Sequence, residues 1–144
     1  MQYKEKINEA IFAAGCFWGV QETFRKIKGV NSTIVGYTGG ITSNPTYEEV
    51  CRDKTGHAEA ILIDYDIKLI SYISLLDIFW KIHDPTTLNQ QGLDIGSQYR
   101  SAIFYKDDQQ MNESLNSLEI YSKKFKNKIV TEIKKADKFY VAEE

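Results

Sequence analysis

Cysteine is scarce in this sequence, at two residues in a chain of 144. That is too few for a secreted scaffold stapled by disulfides, and it leaves a reducing cytoplasm as the expected compartment. Proline is equally scarce at two, and glycine stands at nine, which excludes collagen-like and low-complexity chains. Charge of one sign is missing too. Eighteen basic side chains face twenty acidic ones for a net charge of −2, so nothing steers the chain toward nucleic acid. The one local excess, seven lysines from Lys123 to Lys138, is diluted by Glu132 and Asp137 and has no aromatic stacking platform. It reads as a solvated face. Long hydrophobic runs are absent. The best of them, Ile70 to Ile82, is broken by Ser71, Ser74, Asp77 and Lys81 and falls short of the roughly 20 apolar residues that cross a membrane. Met1 to Asn8 is polar, without the apolar stretch of a secretory signal.

What is present suits a folded domain. Hydrophobic residues make up 42% of the chain, enough to offset chain entropy in one domain spanning 1–144. Ala10 to Ala14 reads as a buried strand ending at Gly15. Trp18 to Lys28, with Val20, Phe24 and Ile27 at helical spacing, reads as a helix that Gly29 stops. Val30 to Tyr37 is a strand, Thr38 to Thr46 a loop, and His57 to Asp66 an alternating strand with His57, Glu59, Ile61, Ile63 and Tyr65 on one face. Ser71 to Ile82 carries a helical stripe of Tyr72, Leu75, Leu76, Phe79 and Trp80. Thr86 to Gly96 reads as structureless, Ser97 to Lys106 as a strand, Asp107 to Phe125 as a helix and Ile129 to Ile133 as a last strand. The order β-α-β-β-α-β-α-β, with one direct strand–strand link, predicts an α+β two-layer sandwich of ferredoxin-like type, with helices packed on a mixed or antiparallel sheet. The segment from His83 to Ser97 is long for a connector, and long loops in compact domains are usually functional.

The chemistry starts at Gly15-Cys16-Phe17-Trp18-Gly19. A strand ends, a glycine turns the chain and a helix begins, which puts Cys16 at a helix N-terminus where free N–H groups and the dipole favour a thiolate nucleophile. On these five residues alone, a structural cysteine at a strand–helix corner stays open. The pentapeptide resembles the signature of the peptide methionine sulfoxide reductase A family, and it does not stand alone. Gly36-Tyr37-Thr38-Gly39-Gly40, Asn44-Pro45-Thr46-Tyr47, Thr55-Gly56-His57-Ala58-Glu59-Ala60, His83-Asp84-Pro85 and Gln98-Tyr99-Arg100-Ser101 match further family blocks in the family's order, from about Ile11 to Tyr140.

The resemblance implies reduction of the S epimer of methionine sulfoxide, free or in proteins. Cys16 is then the nucleophile that attacks sulfur and becomes a sulfenic acid. Glu59 resembles the family's essential carboxyl group. On an otherwise apolar strand face, burial would keep it protonated near neutrality, ready to donate to the sulfoxide oxygen. Tyr47 and Tyr99 match the two oxygen-binding tyrosines, and Asp94, within Gly92-Leu93-Asp94-Ile95-Gly96, matches the site aspartate. Phe17 and Trp18 would cage the methyl group. Read without the resemblance, Glu59 is an edge glutamate, the tyrosines are surface residues and Asp94 is a turn former.

The chain departs from the family in one respect: no cysteine lies beyond Cys51, whereas many relatives carry resolving cysteines in a C-terminal tail. A structural role is expected for Cys51. The resemblance then implies a one-cysteine cycle closed by an external thiol, glutathione with glutaredoxin or thioredoxin, without metal or organic cofactor. The spacing of Cys16, Cys51, His57 and His83 matches no zinc clip. Two other readings remain at this point. Cys16, His57 and an acid could form a hydrolase or acyltransferase triad, although packing and a hydrogen bond near Glu59 suit His57 better. Alternatively, the aromatic cage could bind methionine sulfoxide without turnover.

Overall fold

The computed structural model describes residues 8–51 and 55–142. The reading of the N-terminal stretch as lacking a secretory signal falls on residues 1–7, outside the described residues. The chain runs β1 (Glu9–Ala14), α1 (Phe17–Phe24), β2 (Val30–Thr38), α2 (Tyr47–Cys51), β3 (Ala58–Tyr65), α3 (Tyr72–Lys81), β4 (Gln90–Gln91), β5 (Asp94–Ile95), a 3-10 turn (Ser97–Tyr99), β6 (Ser101–Tyr105), α4 (Asp108–Ser122), β7 (Glu132–Lys135) and β8 (Phe139–Val141). It is an α+β architecture with a mixed sheet. Six strands lie in the order β7-β6-β1-β3-β2-β8, all neighbours antiparallel except β6 and β7, while β4 and β5 form a separate hairpin.

The sequence of β1 explains its central place. Ala10, Phe12 and Ala14 face the helices, and Ile11 and Ala13 face the other way; all five are buried. A strand covered on both faces reads as a continuous apolar run rather than an alternation. On the helix side, Phe12, Ile61, Ile63 and Ile103 meet Val20 and Phe24 of α1, the α3 stripe, and Tyr121 of α4. The Phe12 ring is the hub, with centroids 5.8 Å from Phe24, 5.9 Å from Tyr72 and 5.1 Å from Phe79. A thinner layer of Ile11, Ala13, Ala58, Ala60, Ala102 and Phe104 lies on the opposite face, against Leu62, Ala136 and Phe139. Ser71 caps α3 by accepting the Ser74 N–H at 3.0 Å, and Asp107 caps α4 by accepting the Gln110 N–H at 2.8 Å.

Several boundaries differ from expectation, among them the end of α4, at Ser122 instead of Phe125. Helix α1 ends at Phe24 instead of Lys28, because the next residues form a turn (Ile27 N–H to Phe24 O, 3.0 Å) leading to Gly29 at φ +100°. The segment expected to be structureless, Thr86 to Gly96, holds the β4–β5 hairpin, whose two-residue turn starts at Gly92 with the positive φ of +58° that such turns favour. The strand expected from Ser97 starts at Ser101, after the 3-10 turn. The last expected strand shifts from Ile129–Ile133 to β7, because the Val130 N–H binds the Pro85 carbonyl at 2.8 Å instead of a strand neighbour. Strand β8 and the short α2 had no periodic signal to announce them.

The antiparallel pairing brings four strand ends together. β1 and β2 finish where β3 and β6 begin, with Ala14 opposite Ser101 and Thr38 opposite Ala58. The candidate site lies at this end.

Candidate active site

Cys16 is the residue preceding α1, at φ −56° and ψ 119°, and its exposed thiol makes no capping bond of its own. Gly15 at φ +95° makes the turn. A Cβ there would stand 2.7 Å from Cγ of Gln91, so the β4–β5 hairpin rests directly on the backbone beside Cys16. Gly19, on the far side, faces open space.

Glu59 sits on β3 directly across from Tyr37 and is 1% exposed. Its Oε1 accepts the Phe17 N–H, the first amide after Cys16, at 3.3 Å. Its Oε2 is buried with no partner among the described residues. Burial pushes this carboxyl up to about 7; the Phe17 N–H opposes the rise and the charge of Asp94 adds to it. An acid in this state is half protonated at neutrality and has an oxygen that no described residue engages.

Tyr47 opens α2 and Tyr99 closes the 3-10 turn. The two phenols interact, Tyr47 lowering Tyr99 against the rise that burial gives it. The Tyr47 hydroxyl also bonds the Cys51 thiol, which raises that phenol above its ordinary range. Burial raises Tyr99 first, and nearby Glu59 raises it further. Asp94 is exposed on β5, paired in register with Gln91. It is a strand residue and not the turn former that its flanking glycines suggested, and its charge reaches both Glu59 and Tyr99. Glu59, Tyr47, Tyr99 and Asp94 therefore form one electrostatic cluster, and the Phe17 amide joins it to Cys16. Phe17 is buried with Val35, Tyr37 and Val50. Trp18 meets it edge-on at 5.3 Å and stays 58% exposed, so the aromatic pair leaves one wall open to solvent.

Cys51 is exposed at the end of α2, engaged by Tyr47 and not packed into a core. His57 is buried and hydrogen bonded through both ring nitrogens. Its Nδ1 accepts the Gly40 N–H at 3.0 Å, so Nε2 carries the hydrogen and donates to the Thr42 carbonyl at 2.7 Å. Both nitrogens clasp the loop after β2, and neither is left to serve Cys16 as a triad base. His83 binds the Phe79 carbonyl through Nδ1 and Ser101 through Nε2, each at 2.7 Å, and burial lowers it to about 4. No group of three or more His, Cys, Asp or Glu residues that could hold a metal occurs among the described residues.

Three residues at the site had no assigned role in the sequence. Tyr37 lies opposite Glu59 and its ring packs 5.7 Å from Phe17. Gln98 is buried where a Cβ on Gly96 would overlap its side-chain oxygen. Arg100 is buried behind the turn that carries Tyr99. All three fall within the matching blocks, but only strand register puts Tyr37 opposite Glu59, and only loop packing buries Gln98 and Arg100.

Comparison with known proteins gives a consistent picture. A relative from Methanosarcina acetivorans, named peptide methionine sulfoxide reductase MsrA, is 56% identical over 97% of this chain and 76% of its own. Mxr1 of Saccharomyces cerevisiae in reduced form superposes with a TM-score of 0.92 at 38% identity, covering 99% of this chain and 84% of that one. Mxr1 in complex with Trx2 superposes at 0.73 with 30% identity, over 99% of this chain and 86% of that one. The family model described as peptide methionine sulfoxide reductase matches residues 8–144, and this chain belongs to that family.

Proposed function

We propose that this chain reduces the S epimer of methionine sulfoxide, free or in proteins, to methionine. The observation that carries the reading is Glu59: a carboxyl held near half-protonation by burial, with one oxygen on the Phe17 amide and the other without a partner among the described residues. A proton donor of that kind, bonded to the first amide after an exposed thiol, suits a reaction in which negative charge grows on oxygen while sulfur attacks sulfur.

In the proposed step the Cys16 thiolate attacks the sulfoxide sulfur and Glu59 gives its proton to the oxygen. The S–O bond of the substrate breaks and the oxygen passes to Cys16, leaving methionine and a Cys16 sulfenic acid. Tyr47 and Tyr99 offer their hydroxyls to the oxygen, and the charge of Asp94 helps to keep the proton on Glu59 until it is needed. Phe17 and Trp18 hold the methyl group. With oxygen and methyl fixed, only the S epimer turns its sulfur toward Cys16.

Two external thiols then close the cycle. The first displaces water from the sulfenic acid as a mixed disulfide and the second releases Cys16, so that one sulfoxide and two thiols give methionine, water and one disulfide. Thioredoxin, or glutathione with glutaredoxin, would serve, and no prosthetic group is required. We infer a one-cysteine cycle, supported by the engagement of the Cys51 thiol with Tyr47. The two exposed thiols suit a reducing cytoplasm. We also assign the chain as a single catalytic domain over 1–144. Its two-layer ferredoxin-like architecture is supported by the central order β6-β1-β3-β2, which counts 4-1-3-2 along the βαββαβ core.

The test is a single-turnover assay. Reduced protein without added thiol is mixed with separated epimers of a methionine sulfoxide peptide. The expected result is one methionine per enzyme from the S epimer alone, with one added oxygen on Cys16. A loss of two hydrogens instead would mean a Cys16–Cys51 disulfide and overturn the one-cysteine cycle. No methionine from either epimer would overturn the function.

A further inference from the structure

The acid and the oxygen-binding tyrosines sit on separate pieces of chain. Glu59 rides on β3, while Tyr99 and Asp94 ride on the turn and hairpin before β6. Something must fix the distance between them, and short turns do not do so by themselves. Arg100 lies at that joint. Its side chain is almost wholly buried, at 9% exposure, and its two terminal nitrogens divide between the two pieces. One donates to the Ser97 carbonyl at 2.9 Å, at the start of the turn that ends in Tyr99. The other donates to the Gly56 carbonyl at 2.9 Å, three residues before Glu59. The Glu132 carboxylate of β7 stands 3.1 Å from Nε but off the line of its N–H, so it balances the charge without a directed bond.

The surroundings are shaped for this side chain. Gly39 at φ +85° lets the end of β2 pass close by, where a Cβ would come within 3.2 Å of the guanidinium nitrogen. Gly56 at φ +73° starts the lead into β3. Only a planar fork reaches two carbonyls on different segments at once; an ammonium is a point donor on a flexible stem and serves one.

We propose that Arg100 is a positioning residue for the sulfoxide reduction, a strut that sets Tyr99 and Asp94 at a fixed distance from Glu59. It acts through geometry and not through its charge. The proton affinity of Glu59 is set by burial, the Phe17 amide and Asp94. The inference rests on the proposed reduction and extends it to a residue that touches neither substrate nor nucleophile.

Arg100→Lys keeps the charge and the pairing with Glu132 but holds at most one carbonyl. Glu132→Gln removes the charge balance and leaves both carbonyl bonds. For each variant, single-turnover and thiol-driven rates with the S epimer are measured from pH 5.5 to 9, at a temperature below its measured melting point. For Arg100→Lys a loss of about 10-fold or more in kcat is expected, with KM within about twofold, since misplacement by about 1 Å is costly in the transition state. Its pH profile should move downward by about half a unit, as the loosened joint admits water to Glu59. Glu132→Gln should keep kcat within about threefold even where its melting temperature drops. Arg100→Gln, neutral and with two donors on one nitrogen, is a second probe should the lysine variant fail to fold, and the same loss is expected of it. A wild-type kcat and pH profile in folded Arg100→Lys would overturn the proposal, as would an equal loss in Glu132→Gln. An inactive wild-type protein would instead overturn the proposed reduction itself.

Discussion

Glu59 is under opposing demands. Its carboxyl is raised from 4.5 to about 7, so between those values the folded chain holds a proton that the unfolded chain has released. Stability contributed by the proton is present at low pH and is lost as pH rises through 7. Glu59→Gln removes that cost, and unfolding at pH 8 should show a gain of up to about 3 kcal/mol. The same variant should lose about 100-fold or more in sulfoxide reduction, because the proposed proton donor is gone. Wild-type activity should fall above pH 7 as Glu59 ionises, read from the pH profile of the single-turnover rate. His83 shows the opposite linkage. Its imidazole is lowered from 6.5 to about 4, so the unfolded chain binds the extra proton first, and stability is lost as pH falls from about 6.5 toward 4. Urea titrations over that range should show the decline, with a shallower slope in His83→Gln. The residue types of this site, and the match of Cys16 and Glu59 with family blocks, were legible from the residues alone. It could not show that His57 turns both nitrogens to the Gly39–Ser43 loop, because that depends on where the loop lies across the sheet.

At the scale of elements, strand register sets which residues of β2 and β3 face each other at the site. Strand β8 closes the sheet edge beside β2 over three residues only, Gly36, Tyr37 and Thr38 opposite Val141, Tyr140 and Phe139. Gly36 makes the approach possible, since a Cβ there would overlap the Tyr140 carbonyl and the Phe139 ring. Gly36→Ala should therefore detach β8. Hydrogen exchange should show lost protection at residues 139–142, and β1 and β3 should keep theirs. The helices were legible in part. The stripe on α3 and the Asp107 cap at the start of α4 are local patterns, whereas α2 had none, and α1 and α4 end before Lys28 and Phe125, where their patterns ran. Strand β7 was misplaced by about three residues because its register comes from parallel pairing with β6, which no local pattern encodes.

At the scale of the molecule, the sheet works as a platform with unequal faces. The helix side carries the aromatic hub around Phe12, and the site grows out of one end of that side, where Ile61 gives way to Glu59 along β3 and Val35 to Tyr37 along β2. Phe12→Ala should cost roughly 3–5 kcal/mol by removing the ring that joins α1, α3 and the sheet. Differential scanning calorimetry would measure this as a lowered melting temperature. The described residues contain no helix long and apolar enough to cross a membrane.

The sequence by itself determined the α+β class, the apolar central strand, the helical stripes, the thiol after a glycine turn and the family resemblance. Each of these is written in periodicity or in contiguous residues, and so survives without knowledge of the fold. Only the tertiary structure decided that Glu59 lies opposite Tyr37, that its second oxygen has no partner among the described residues, that a hairpin rests on Gly15, and that Arg100 bridges Ser97 to Gly56. Those facts join residues 22 to 76 positions apart, and they arise from strand register and burial, which are properties of the assembled chain and not of any one segment.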